Sequence, residues 1–409
     1  MRLLIADKLH PRAIEELRTL PLDVVYEPEL TKETLEAKLG SLGVGILVVR
    51  STEVTAAAIE SAKQLHLIVR AGAEYHTIDV RAASKRGIYV SNCPGKNASA
   101  VAELVFGLLL SIDRRIPDAV ASLRGGKWER TEYGRSEGVL GKTIGIAGLG
   151  AVGREVAHRA RAFGMHPVAF SRSLTPTKAA DMGVGYAATI EDLAARSQVF
   201  TVHLPISERT RHIVGNKLLA LLPPKAILIN TARSDLVDYA ALRQAVATRG
   251  LRVGLDVYPD EPKGKKDYET DLFVRSAKAA DGFVYGTPHI AASTDQAQLA
   301  IATETVRVIR SFLLQGSVPN VVNVSASTVA RFQLVIRMVD KVGTFANVLN
   351  VIKRHGINVE EVTNTIFEGG GASCAKLRVV SRPSEACLAE IHAFEEVLHV
   401  DMVPLPNLA

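Results

Sequence analysis

The run TIGIAGLGAVGREVAHRARAFG, residues 143–164, limits the fold of this 409-residue chain more than any other stretch. A short apolar strand leads into glycines at 148, 150 and 153, and a helical pattern follows until Gly164. Gly148 permits the tight turn, Gly150 lets backbone approach a pyrophosphate, and Gly153 lets helix and strand pack closely. Phosphates would then sit on the unpaired N–H groups of the helix start. Such a motif alone is weak, since glycines also mark ordinary turns. Here a second strand, HPVAFS, closes a complete βαβ unit, which predicts a dinucleotide-binding fold.

The rest of the first 320 residues alternates in the same way. RLLIA, DVVYE, GILVV, LHLIVRAG and GIYVSN read as strands, with helices PRAIEELRTL, KETLEAKLG and TAAAIESAK between them. After the glycine turn, TIGIAG, HPVAFS, QVFTVHL, AILINTA, RVGLDVY and FVYGTPH give six strands. Alternation of this kind predicts two doubly wound parallel sheets. VAELVFGLLLSI reads as a buried helix, too short to span a bilayer. The pattern of residues 294–315 predicts a helix that crosses back to the first sheet, and GSVPNVVNVSAS reads as a linker. Residues 331–409 then give the order β-α-β-β-α-β, a ferredoxin-like split.

Composition narrows the class. Apolar residues make up 47% and charged residues 22%, the balance of a soluble globular chain. The net charge of +6 comes from Lys and Arg interleaved with Asp and Glu, without a basic run carrying aromatics, so no nucleic-acid partner is expected. No membrane partner, signal peptide or metal is expected either. Cys93, Cys374 and Cys387 form no ligand pair or even framework, which suits reduced thiols in the cytoplasm.

The second strand of the βαβ unit ends in Ser171-Arg172, where a carboxylate would hydrogen-bond the adenosine ribose and repel a 2′-phosphate. Ser171 does not repel a phosphate and Arg172 pairs with one, so the cofactor reading is NAD(P), leaning to NADP(H) with NAD(H) not excluded. Three later strand ends carry polar residues: Arg233 in LINTARSDLVD, Asp256 and Glu261 in GLDVYPDEP, and His289 in YGTPHIAAST. Hydride transfer to a 2-keto acid needs a cation for the carboxylate, a proton donor for the carbonyl oxygen, and a group that keeps the donor protonated. Arg233, His289 and Glu261 fit those roles in turn.

With these motifs in order, the chain resembles the D-isomer-specific 2-hydroxyacid dehydrogenases, most closely 3-phosphoglycerate dehydrogenases that end in an ACT domain. The stretch 70–104, GKWER, the glycine turn, NTARSDLVD, GLDVYPDEP and TPHIAAST all match family motifs in family order. The resemblance implies a flavodoxin-like substrate domain formed by residues 1–98 and 290–320. A Rossmann cofactor domain, 99–289, is inserted between them, and an ACT domain covers 331–409. It implies Arg233, Glu261 and His289 as the catalytic residues. For the cofactor it implies Gly148, Gly150, Ala151, Val152, Gly153, Ser171, Arg172, His203, Pro205, Thr210, Thr231, Ala232 and Asp256, the last holding the nicotinamide amide. Substrate binding falls to Arg50, Arg70, Ala71, Gly72, Arg130, Arg233 and His289, with Arg130 supplied by a neighbouring subunit of a homodimer or homotetramer.

The cluster Arg50, Arg70 and Arg130 suits a phosphorylated 2-hydroxy or 2-keto acid, hence oxidation of 3-phosphoglycerate in serine synthesis. A hydroxypyruvate or glyoxylate reductase shares the triad, and a nicotinamide-sensing transcriptional corepressor shares the fold. Departures from the family are Ser234 in place of a glycine and about ten extra residues in the stretch 263–282. In the tail, Asp340, Gly343 and Asn358 match an amino-acid effector site, but Met338 and Val342 replace a histidine and a proline. An oligomerising tail is therefore expected more firmly than serine feedback.

Overall fold

The computed structural model describes residues 1–409 except 263–266, 269, 271, 273–281, 326–327 and 407–409. Most of the extra stretch after Glu261 lies outside the described residues. The chain forms two compact units, Met1–Asn323 and Val324–Ala409. Among the described residues no helix is long and apolar enough to cross a membrane.

The first sheet holds β1 (Arg2–Ile5), β2 (Asp23–Tyr26), β3 (Val44–Val49), β4 (Leu67–Arg70) and β5 (Tyr89–Ser91). All are parallel, in the order β2-β1-β3-β4-β5. Side chains alternate across a strand, so Leu3 and Ile5 face one side and Leu4 and Ala6 the other. The first side packs on helix Pro11–Arg18 and on the long helix Asp295–Gln315, through Ile301, Val308 and Ile309. The second side packs on helices Lys32–Leu42 and Ala56–Ser61. A segment almost 300 residues from β1 in sequence therefore completes its core.

The linker reading of residues 316–327 needs correction. Val322 N–H donates to Val90 O at 2.8 Å, and Asn323 accepts from Val90 N–H at 2.9 Å while donating to Ile88 O at 2.8 Å. As far as Asn323 the segment serves the otherwise open edge of β5. Bonds of this kind, one through the main chain and two through the Asn323 amide, need no hydrophobic period, so the sequence pattern did not reveal them.

The second sheet holds β6 (Thr143–Ala147), β7 (His166–Phe170), β8 (Gly185–Tyr186), β9 (Val199–Val202), β10 (Ile227–Asn230), β11 (Arg252–Leu255) and β12 (Phe283–Gly286). Its order is β12-β11-β10-β9-β6-β7-β8, again parallel. Six strands were expected; the seventh, β8, has two residues and is too short to show a period. Helices Ala98–Arg114 and Ala151–Ala162 cover one face and Tyr239–Arg249 lies on the other. In both sheets the strand order reverses beside an early strand, and carboxyl ends at such a point form a crevice.

The second unit runs β13 (Phe332–Val339), helix Thr344–Arg354, β14 (Val359–Ile366), β15 (Ala372–Val379), helix Glu385–His392 and β16 (Val397–Pro404). The sheet is antiparallel in the order β14-β15-β13-β16. Its second helix stops at His392, earlier than the sequence suggests. A turn follows, with Val397 N–H bonded to Phe394 O, and brings Phe394 onto the core.

One buried charge ties the long helix to the loop after β5. Glu304, 5% exposed, accepts from Arg307 Nε at 3.0 Å and Asn320 Nδ2 at 2.6 Å, and lies 3.2 Å from Lys96 Nζ. Arg307 foremost, then Asn320 and Lys96, hold its carboxyl down at about 2 against the opposing effect of burial. A depressed carboxyl stabilises the fold above its unfolded value and loses that stabilisation as pH falls through the folded value. The contribution should be complete above pH 4.5 and vanish towards pH 2. Urea unfolding of wild type and Glu304→Gln across this range should show a neutral-pH deficit on the order of 2–3 kcal/mol in the variant, closing on acidification.

Candidate active site

The carboxyl ends of both sheets in the first unit meet around one cavity of about 430 Å³. β3 and β4 bring Arg50, Arg70, Ala71 and Gly72 to it. From the second sheet come His203 and Pro205 after β9, Thr231 to Arg233 after β10, Asp256 after β11 and His289 after β12, with Val152 from the helix of the glycine turn. A larger cleft of about 500 Å³ lies elsewhere, around Arg115, Arg135 and Arg252. There Arg115 pairs with Glu132, and Arg252 lies 3.9 Å from Glu137, so part of its positive charge is answered by its own walls.

His289 and Glu261 form a direct pair, with Nδ1 and Oε2 2.6 Å apart. The other carboxylate oxygen of Glu261 accepts from Tyr258 N–H at 2.9 Å, which fixes the acid in place. Among the described residues Nε2 of His289 has no partner, so it is the nitrogen available to exchange a proton. His289 adopts φ 52°, a left-handed conformation uncommon outside glycine. Asp256 holds the loop in that shape. Its wholly buried carboxylate accepts from Thr287 Oγ1 at 2.6 Å, Ile290 N–H at 2.8 Å and Ala291 N–H at 2.9 Å. The residue expected to hold a nicotinamide amide thus already has both oxygens on the histidine loop.

Arg233 is placed by a neighbour that sequence reasoning missed. Asn230, fully buried at the end of β10, donates to Arg233 O at 2.9 Å and accepts from Ala232 N–H at 3.0 Å. Asp7, at the exit of β1, does the same for Arg50, accepting from the N–H groups of Arg50, Ser51 and Thr52. A polar residue ending an apolar strand was the available signal in both cases. Burial pushes Arg70 down from the usual arginine range, Glu74 opposing and Arg50 and Arg233 reinforcing the shift. Its Nε is buried without a partner. Glu74, another residue missed, pairs with Arg233 Nη2.

The glycine turn fits a pyrophosphate. Gly148 has φ 102°, and a Cβ there would lie 2.6 Å from His203 O; one on Gly153 would lie 2.1 Å from Gly148 O. Gly150 faces open space and precedes helix Ala151–Ala162 with no side-chain cap, which leaves the helix N–H groups to a ligand. Thr231 Oγ1 is a buried hydroxyl without a partner in the cavity wall, and burial pushes His203 down to about 3, a neutral imidazole bonded to Thr201. Thr210 bonds Pro205 O at 2.7 Å and shapes the loop beside it.

Several expected residues lie apart from the cavity. Ser171 and Arg172 follow β7 next to the glycine turn, where Gly148 N–H meets Phe170 O at 2.8 Å. Arg172 is exposed and has no ion pair among the described residues. Arg130 begins the exposed helix Arg130–Tyr133 and does not line the cavity of its own chain. In the second unit Asp340 and Gly343 share one loop, while Asn358 bonds Glu360 at the opposite end of β14 and β15. A single chain does not bring these three together, and Met338 points into the core.

The glycines make separable predictions. Gly150→Ala has space for its methyl, so the thermal midpoint should move by no more than about 2 °C while nucleotide affinity drops about tenfold or more. Gly153→Ala should lose both, because its methyl meets backbone oxygen. Calorimetric melting and nucleotide titration of the two variants check this; unchanged nucleotide affinity in Gly150→Ala would contradict it.

The D-isomer specific 2-hydroxyacid dehydrogenase NAD binding domain matches residues 106–291. The chain is 39% identical over 325 residues, 79% of its length, to the D-3-phosphoglycerate dehydrogenase of Methanocaldococcus jannaschii, of which it covers 59%. It is 41% identical over 288 residues, 69% of its length, to the hydroxypyruvate reductase of Thermotoga maritima, of which it covers 90%. The chain thus spans 59–63% of the length of the first phosphoglycerate dehydrogenases it matches. Among solved structures, the NADPH-dependent glyoxylate/hydroxypyruvate reductase of Sinorhizobium meliloti, in complex with NADP and malonate, aligns with a TM-score of 0.66 at 27% identity, covering 78% of this chain and 96% of that one. The parallel sheets, the glycine turn and these likenesses agree: the chain belongs to the D-isomer specific 2-hydroxyacid dehydrogenase family.

Proposed function

We propose that this protein is an NAD(P)-dependent dehydrogenase of D-2-hydroxy acids. The observation that carries the reading is one cavity lined by Arg233 and His289, with Glu261 paired to that histidine from behind. A bound nicotinamide supplies the hydride for the carbonyl carbon of a 2-keto acid, or accepts it in the reverse direction. Arg233 binds the carboxylate and polarises the carbonyl oxygen. His289 gives that oxygen a proton from Nε2, and Glu261, bonded at Nδ1, orients the imidazole to do so. Keto acid, NAD(P)H and one proton yield hydroxy acid and NAD(P)⁺.

The substrate we assign is phosphorylated: oxidation of 3-phospho-D-glycerate to 3-phosphohydroxypyruvate, at the head of serine synthesis. Arg50 and Arg70 support it, since they share the cavity with Arg233 and have no salt bridge among the described residues. A hydroxypyruvate or glyoxylate reductase is the second reading, favoured by the 90% coverage of the Thermotoga enzyme. For the cofactor, exposed Arg172 after Ser171 supports NADP(H). The second unit is assigned as an ACT domain that joins subunits and offers an amino-acid site around Asp340 and Gly343. Its βαββαβ order and the uncapped helix start after Gly343 support that assignment. Trp128 and Leu140, 82% and 81% exposed, support a homo-oligomer.

A reductase panel decides among these. Phosphohydroxypyruvate, hydroxypyruvate and glyoxylate are each assayed with NADH and NADPH. Phosphohydroxypyruvate should give the highest kcat/KM, and Arg50→Ala should lower it by about tenfold or more while glyoxylate changes little. Arg172→Ala should lower the NADPH to NADH ratio. Equal losses on phosphorylated and plain substrates would favour the second reading.

A further inference from the structure

The cavity already contains one carboxylate aimed at its own cations. Arg50, Arg70 and Arg233 line it, and among the described residues two acidic ones do, Asp256 and Glu74. Asp256 is committed to the histidine loop through both oxygens. Glu74 is not. It stands on the loop after β4, whose shape is held by Asn92 Nδ2 donating to Ala73 O at 2.5 Å and by Cys93 N–H bonded to Gly72 O at 2.9 Å. From there its Oε2 reaches Arg233 Nη2, the cation that the proposed reaction requires for the substrate carboxylate.

We propose that Glu74 is a built-in competitor: its carboxylate occupies the anion seat of Arg233 until an incoming 2-keto carboxylate displaces it. This inference rests on the functional reading above and adds a specificity-determining residue to it. The displaced group has somewhere to go. Glu74 is 43% exposed, and His76 Nδ1 lies 3.3 Å from the same oxygen, on the solvent side at 68% exposure. The exchange is one carboxylate for another on a single guanidinium, so no charge is left buried and alone at the end of it.

The consequence is discrimination by charge number. A plain monocarboxylate gains only what Glu74 gives up, and its apparent affinity falls by the fraction of protein in which the seat is free. An anion that also reaches Arg50 and Arg70 gains ion pairs that Glu74 does not make among the described residues, its own being with Arg233 and His76. Glu74 therefore weakens small keto acids more than multiply charged ones. An exposed, charge-assisted pair of this kind corresponds to about a three- to thirtyfold effect on binding.

Calorimetric titration of the full-length protein with oxamate, a non-reducible monocarboxylate analogue of a 2-keto acid, tests this with and without NAD(P)⁺. Glu74→Gln should bind oxamate about three- to thirtyfold more tightly than wild type. Glu74→Asp, one methylene shorter, should fall between the two. In an Arg233→Ala background the effect of Glu74→Gln should disappear. Equal or weaker oxamate binding by both Glu74 variants, with melting curves that show them folded, would overturn the proposal, as would a gain that persists without Arg233. Wild-type turnover of a keto acid tests the functional reading separately, so the two can fail independently.

Discussion

A wholly buried carboxylate at the end of β11 organises most of what surrounds it. Asp256 accepts one hydroxyl and two backbone N–H groups from residues 287–291, and so holds His289 in a left-handed conformation it would otherwise leave. The same three bonds fix the point where the chain leaves the second sheet. Thr294 then caps the helix Asp295–Gln315, which returns to cover the first sheet. Position of the proposed acid and closure of the first core thus depend on one side chain. Removing it would leave buried donors unpaired, which costs more than the bonds themselves contribute.

The cavity that results is short of negative charge. Among the described residues three arginines and two histidines face it, while Glu261 is spent on His289 and Asp256 on the loop. Clustered guanidiniums repel one another and depress Arg70 further than burial alone. Such a site has a standing demand for an anion, and Glu74 answers it in the free protein. The charge pattern is thereby linked to substrate choice, because whatever binds must do better than a carboxylate already in place.

Much of this was legible in the sequence. Alternating apolar runs fixed ten or more strands to within a residue or two, and the spacing of Gly148, Gly150 and Gly153 placed the turn. Arg233, Glu261 and His289 stand at strand ends, where a doubly wound sheet collects its ligands. What stayed hidden has a common cause. β8 has two residues, the Pro319–Asn323 edge pairs through main-chain groups and the Asn323 amide, and Asp7 and Asn230 act by bonding main-chain groups of neighbouring loops. None of these leaves a periodic trace. Glu74 was hidden differently: an acid beside cations reads as a solvated loop residue until folding brings Arg233, 159 positions later, against it.

The most direct test of the chemistry follows one atom. Hydroxypyruvate is reduced with NAD(P)H deuterated at C4 of the nicotinamide, in wild type and in His289→Ala, and the product is analysed for isotope and handedness. The account predicts D-glycerate carrying deuterium at C2, formed about 10²–10⁴-fold more slowly by the variant. L-glycerate, deuterium lost to solvent, or an undiminished rate without His289 would contradict it.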